Sequence, residues 1–188
     1  QEKAIDTFYA LLVHTSSTHG GFEWSITPWG NRDYGNNLAP HGCFAGKFLL
    51  FYRNMFVREQ GRTLHLASAL SPAWFQPGKV ISFRNGPTAF GKISYEMHIK
   101  DNGAEITIQP PERDIFDVMI LHFPPHLRVT AVSADGKSQD VKDNAAAVPP
   151  GTKIVSVKWE KIGSPDINYE TAVKKYLEEY SRRKKSQE

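Results

Sequence analysis

The sequence predicts a mixed α and β protein, in which two helices are followed by an antiparallel β-sandwich and a C-terminal helix. Three observations predict this fold class. Apolar residues recur at helical spacing before residue 61, short β-rich runs separated by turn residues follow it, and a last helical pattern lies near the end. The change of periodicity at Gly61 predicts a domain boundary, with residues 1–61 in one part and residues 62–188 in the other.

The two predicted N-terminal helices differ in how much of their surface is apolar. The first, from Ala4 to His14, has one apolar face. The second begins at Pro40, a residue that suits the first helical position, and is apolar on nearly all sides as far as Gln60. Such a helix needs burial on several sides. We therefore expect the two helices to pack on the following sheet or to belong to a larger helical array.

Seven short runs after Gly61 predict the strands of the sandwich. Val155, Val157 and Trp159 alternate with polar residues, which predicts one buried and one solvated face. The aromatic residues of these runs are predicted to lie in the core, and a final helix is predicted from Tyr169 to about Arg183. The predicted strands are 63–67, 80–84, 93–99, 104–108, 118–123, 127–134 and 153–159, and the predicted core aromatics are Phe83, Tyr95, Phe116 and Phe123.

Charge and composition narrow the classes of function. The net charge is +3, but residues 174–188 hold six basic and three acidic residues, so the excess lies in the C-terminal helix. Cations near a helix C-terminus are compatible with its dipole, and we therefore expect no nucleic acid partner. No apolar run approaches the roughly 20 residues that span a bilayer, so no membrane partner is expected. The single cysteine, Cys43, excludes an internal disulfide and is predicted to be buried.

The segment from Thr18 to Gly42 contains the candidate site. It combines indole rings, which offer flat apolar faces for a pyranose, with charged and polar side chains that hydrogen-bond hydroxyl groups directionally. This mixture is typical of a sugar-binding cleft. The candidate catalytic residue is Glu23, and the candidate substrate-binding residues are His19, Trp24, Trp29, Arg32, Asp33 and His41.

Several segments resemble the C-terminal end of bacterial glycoside-hydrolase-like proteins, in which an α/α-toroid of helical hairpins precedes a β-sandwich. They are Thr18-His-Gly-Gly-Phe-Glu-Trp, Trp29-Gly-Asn-Arg-Asp, Leu38-Ala-Pro-His-Gly, Arg53-Asn-Met-Phe-Val-Arg-Glu, Leu64-His-Leu, Leu70-Ser-Pro-Ala-Trp and Pro87-Thr-Ala-Phe-Gly-Lys-Ile-Ser. The resemblance covers nearly the whole chain. It implies that residues 1–61 are the last helices and the active-site loop of a truncated toroid.

The same resemblance implies a reaction and a partner. In α-L-rhamnosidase-type inverting glycosidases and processing α-glucosidases, a comparable segment carries the general-base glutamate, and Glu23 stands at the matching place. Their general acid lies on earlier toroid helices that this chain does not contain. The implied partners are an oligosaccharide or glycoside and the rest of the toroid domain. The implied location is periplasmic or extracellular.

Other interpretations of the same residues stay open. Glu23 can instead pair with Arg32, and the two tryptophans can anchor the loop. A metal pair of His19 and His41 lacks a third ligand at motif spacing, so we expect no metal and no cofactor. The preferred hypothesis is the C-terminal part of a toroid glycosidase. The alternative is a non-catalytic carbohydrate-binding module or an interdomain scaffold.

Overall fold

A computed structural model describes residues 1–15, 20–22, 40–113, 116–164 and 166–185. This part of the chain is mixed α and β and contains two sheets rich in antiparallel pairs, with a helix at its C-terminal end. The helices are α1 (Glu2–Val13), α2 (Gly42–Phe56) and α3 (Tyr169–Lys185). The strands are β1 (Val57–Gln60), β2 (Thr63–Leu66), β3 (Val80–Thr88), β4 (Gly91–Lys100), β5 (Gly103–Gln109), β6 (Val118–His122), β7 (Leu127–Ala134), β8 (Lys137–Gln139), β9 (Val141–Lys142), β10 (Ala145–Val148) and β11 (Ile154–Lys161).

The chain divides into two compact units. The sheet unit consists of Gln1–Glu2 and Arg53–Asp166, and the helical unit consists of Lys3–Tyr52 and Ile167–Glu188. The division falls within α2, between Tyr52 and Arg53. The domain boundary that we place at residue 61 stays a prediction.

The sheet unit contains a five-stranded sheet in the order β1-β2-β6-β10-β9 and a six-stranded sheet in the order β3-β4-β5-β11-β7-β8. The predicted alternation in β11 is confirmed, because Val155, Val157 and Trp159 are buried while Ser156 and Lys158 are exposed. Trp159 lies 6.2 Å, between ring centroids, from Phe123 at the end of β6, so residues of both sheets share one core. Of the predicted core aromatics, Tyr95, Phe116 and Phe123 are buried and Phe83 is half-buried.

The second helix is shorter than predicted at both ends. It begins at Gly42 and ends at Phe56, and the four residues that follow form β1. These residues pair antiparallel with β2 through a turn at Gly61, whose φ of +59° suits glycine. The ladder with β2 therefore overrides the local helical pattern as far as Gln60.

Two features of the sheets also differ from the sequence prediction. β2 and β6 pair parallel. The chain between them forms β3 to β5 of the other sheet, and parallel neighbours need a long connection of this kind. The predicted turn at Asn85-Gly86-Pro87 lies inside β3, where the pairing with β4 shifts register between Phe83 and Gly86. This β-bulge lets the strand continue to Thr88.

The helical unit is held by aromatic and ionic contacts. In α1, Phe8 packs on Phe48 and Tyr52 of α2, with ring centroids 6.2 and 5.8 Å apart. Lys175 of α3 bonds Asp6 of α1 at 3.0 Å. Much of α2 is left uncovered, since Leu49 is 65 % exposed and Leu50 59 % exposed. Cys43 is exposed as well, so its predicted burial is wrong: it lies in the first turn of this uncovered helix.

Candidate functional site

The structure describes His41 among the predicted site residues. The others lie outside the described residues, and their roles stay predictions. They are His19, Glu23, Trp24, Trp29, Arg32 and Asp33.

The backbone around His41 fixes where the candidate segment begins and ends. The His41 N–H donates a 3.0 Å hydrogen bond to the Gly21 carbonyl, and the His41 carbonyl accepts one of 3.1 Å from Ala45 in the first turn of α2. The described residues on the two sides of 23–39 therefore meet beside the start of α2.

Gly21 makes a close approach to α2 possible. It is buried, and a Cβ atom built on it would overlap the Phe44 ring. A larger residue at this position would push the backbone away from α2 and would break the hydrogen bond from His41 to the Gly21 carbonyl. In the described residues, the neighbour of Gly21 is thus an aromatic ring of the same chain.

A cavity of about 490 Å³ lies at this place, and we call it the helix pocket. Its lining is mostly apolar, and the rings of Phe44 and Phe48 are stacked with centroids 5.9 Å apart. An imidazole and an ammonium group add hydrogen-bonding capacity, and none of the lining residues that the structure describes carries a carboxylate. The helix pocket can therefore hold an apolar group, and the His41 imidazole is a group in its described lining that can take part in acid–base chemistry. Its lining residues are Leu11, Phe22, His41, Cys43, Phe44, Lys47, Phe48 and Phe51.

A histidine pair in the five-stranded sheet is a feature that the sequence does not predict. Nδ1 of His65 and Nε2 of His122 are 2.9 Å apart, and the rings are stacked. Burial lowers the pKa of His65 and, together with the charge of its neighbour His65, lowers the pKa of His122 to about 4. Arg58, which lies opposite His65 in the β1–β2 ladder, adds to both shifts. Only the parallel pairing of β2 and β6 brings the two rings together, and no local motif indicates it.

An ion-pair network uses the arginine and the glutamate of one resembling segment, Arg53 to Glu59, and backbone groups of another, Pro87 to Ser94. Arg53 at the end of α2 donates two hydrogen bonds of 2.7 Å each to the Glu59 carboxylate and one of 2.6 Å to the Pro87 carbonyl. The Ala89 N–H donates to the same carboxylate at 2.9 Å. The hydrogen bond from Arg53 is the main reason that the pKa of Glu59 lies below its ordinary value. The network thus joins the helix end, β1 and the β3–β4 turn, and its role is structural.

The described residues build no metal centre, because no group of three or more histidine, cysteine or acidic side chains in them could hold an ion. The histidine pair lacks the third protein ligand that zinc sites use. Within the same part of the chain, no helix has the length and apolar character needed to cross a membrane.

The chain was compared with protein-family models, curated proteins and solved structures, and none of them matches it.

Proposed function

We propose that this chain is the C-terminal part of a carbohydrate-active enzyme, a glycoside hydrolase similar to the α-L-rhamnosidase-type inverting glycosidases. In this proposal, residues 18–42 form one side of the active site and the two sheets form an accessory β-sandwich. The observation that supports it best is the hydrogen bond between Gly21 and His41. This bond joins the described residues on the two sides of 23–39 next to an apolar pocket, and the candidate carboxylate and indoles belong to the sequence between them.

The residues of the segment have distinct proposed roles. Glu23 acts as the general base that activates water, while Trp24 and Trp29 stack on pyranose faces. Inversion needs a second carboxyl group roughly 6.5–9.5 Å from the first, with the water between them. The proposed source of this general acid is an earlier toroid helix. The side chains proposed to bond sugar hydroxyls are His19, Arg32, Asp33 and His41.

The proposed partner is the rest of the toroid domain in the same protein. An apolar helix surface that includes Leu49 and Leu50 is unfavourable in water, and helical hairpins of a toroid cover one another through such surfaces. The proposed location, periplasmic or extracellular, comes from the resemblance alone.

A non-catalytic scaffold is the second candidate. The Arg53–Glu59 network favours it, because it links the end of a helix to a turn of the six-stranded sheet by four hydrogen bonds. A linkage of this kind suits a chain that holds neighbouring domains in place. A carbohydrate-binding module belongs to the same non-catalytic class.

Tryptophan fluorescence can test whether the segment binds sugar. We expect methyl glycosides of neutral pyranoses to change the emission of the 188-residue chain, and Trp24→Ala and Trp29→Ala to abolish the change. Trp74→Phe is the matched control, because Trp74 stacks on Phe56 within the sheet unit, with centroids 5.9 Å apart. An emission change that survives both alanine variants would refute a sugar site on the segment.

A further inference from the structure

We propose that the six-stranded sheet carries a second, separate site for a neutral pyranose, at the bulge in β3. A cavity of about 390 Å³ lies there, within the size range of small-molecule sites, and we call it the β3 pocket. The choice of a sugar as its ligand rests on the proposed function, but its position does not. Its lining residues are Arg84, Asn85, Ser94, Tyr95, Glu96, Thr107 and Gln109.

The bulge shapes this pocket. Pairing between β3 and β4 is interrupted between Phe83 and Gly86, which frees Arg84 and Asn85 from the ladder. Asn85 has a φ of +53°, a left-handed conformation that asparagine tolerates better than most residues, and its N–H donates to Ser94 Oγ at 2.9 Å. Bulges commonly redirect side chains beside functional sites.

The charges of the pocket favour a neutral ligand. Arg84 forms an ion pair of 3.2 Å with Glu96. Glu96 also bonds His98 at 2.7 Å, and these two partners, His98 first, lower the pKa of the Glu96 carboxyl. Glu96 is therefore ionised at neutral pH, and the guanidinium of Arg84 balances its charge. A strongly anionic or cationic ligand would have to compete with a pair that is already formed.

The remaining lining groups match the hydroxyl groups of a pyranose. In the β4–β5 ladder, Ser94 lies opposite Gln109 and Glu96 lies opposite Thr107, so two hydroxyls, an amide and a carboxylate lie in adjacent rows. Asn85 adds a second amide on the β3 side. Amides and hydroxyls both donate and accept, as a sugar hydroxyl requires.

Recognition at this site would depend on hydrogen bonds rather than on ring stacking. Tyr95 is only 2 % exposed, and its hydroxyl donates to the Phe56 carbonyl at 3.1 Å, so its ring is not offered to a ligand. Each hydrogen bond to the sugar would replace one that the same groups make to water, so its net contribution to the binding free energy is small. We therefore expect a Kd on the order of 1 mM, which corresponds to a binding free energy of about −4 kcal/mol.

Amide NMR shifts during sugar titrations test the proposal on the whole 188-residue chain. The probes are the methyl glycosides of glucose, galactose, mannose and rhamnose. The concentration of each is raised to about 10 mM, about ten times the expected Kd. We expect saturable shifts for amides of residues 84–86, 94–96 and 107–109 with at least one probe. Shifts in these three ranges report the β3 pocket, whereas shifts in residues 18–42 report the separate site of the proposed function.

A double variant and a control make the test decisive. Asn85→Gly removes an amide while keeping the left-handed conformation, and Gln109→Ala removes the other amide. Together they should weaken binding at least tenfold. Thr130→Ala changes an exposed residue of β7 in the same sheet and should leave binding unchanged. Absence of pocket shifts with all four glycosides, unchanged affinity in the double variant, or an equal loss in Thr130→Ala would overturn the proposal.

Discussion

The Glu59 carboxylate accepts hydrogen bonds from two parts of the sheet unit, the end of α2 and the β3–β4 turn, and its replacement should be costly. It accepts from Arg53 and from the Ala89 N–H while its side chain is only 22 % exposed. We expect Glu59→Gln to lower the free energy of unfolding by about 1–3 kcal/mol, since it removes the charge and one acceptor from a half-buried network. Urea denaturation at neutral pH measures this loss.

The matched control is Glu105→Gln. Glu105 also pairs with a cation, Lys100 at 2.9 Å, but its side chain is 59 % exposed. Exposed pairs contribute little, so this variant should lie within about 0.5 kcal/mol of wild type. Equal losses in the two variants would contradict the structural role of Glu59. Folding lowers the pKa of Glu59. The contribution of its ionised carboxylate to stability is therefore complete above the ordinary pKa of 4.5 and is lost as the pH falls below that value and through the folded-state pKa.

The histidine pair predicts a second pH dependence, in a higher window. Both pKa values are lowered on folding, that of His122 to about 4, so the unfolded chain binds protons more readily. Stability is therefore complete above the ordinary histidine pKa of 6.5 and decreases as the pH falls from there towards 4. We expect His122→Gln to flatten this decrease, which amounts to about 1–3 kcal/mol.

Denaturation midpoints measured at several pH values between neutral and about 4 measure this loss of stability. His98→Gln is the control, because the His98 side chain is 51 % exposed and its replacement removes no buried imidazole. Equal pH profiles for wild type and His122→Gln would show that the pair does not titrate as described.

The elements show which parts of the fold local sequence can predict. Strands such as β7, predicted at 127–134 and observed at Leu127–Ala134, are fixed by alternation and flanking turns. β1 is hidden in a helical pattern because its partner strand, not its own sequence, decides its conformation. The parallel β2–β6 pair, and with it the His65–His122 contact, depends on topology, which no local pattern contains.

The candidate site was predictable only as a segment. Residue types in 18–42 indicate sugar binding, but the sequence does not indicate that Gly21 and His41 close its ends. The β3 pocket was missed because Asn85-Gly86-Pro87 is a typical turn sequence, and the alternative of a bulge depends on pairing with β4.

The uncovered surface of α2 leads to a prediction at the scale of one element. Leu49 and Leu50 are adjacent, exposed and part of a helix rich in aromatic residues. We expect the isolated chain to bind a hydrophobic dye and to self-associate, and Leu49→Lys with Leu50→Lys to reduce both without loss of helical circular dichroism. Dye fluorescence and light scattering measure the two effects.

Ile154→Lys provides the comparison. Ile154 is 56 % exposed but lies on a strand of the sheet unit, and single exposed apolar residues are common on protein surfaces. It should change neither dye binding nor association. A wild-type chain that is monomeric and binds no dye would argue against a helical partner for α2.

For the whole molecule, the proposed enzyme needs two carboxyl groups from different parts of the toroid. In the proposal, the 188-residue chain contributes Glu23 and the general acid comes from helices outside it. We therefore expect no sustained hydrolysis of aryl glycosides by this chain alone. Turnover by the purified chain would contradict the division of the active site between two parts of the protein.

The role of Glu23 as a general base can be measured by the kinetic effect of Glu23→Gln in a protein that also carries the proposed toroid helices. We expect kcat to fall by a factor on the order of 10² to 10⁴, the usual contribution of one positioned base, while the melting temperature and sugar binding stay unchanged. Glu59→Gln should do the reverse, lowering the melting temperature with little effect on kcat. An unchanged kcat in Glu23→Gln would show that Glu23 is not the general base.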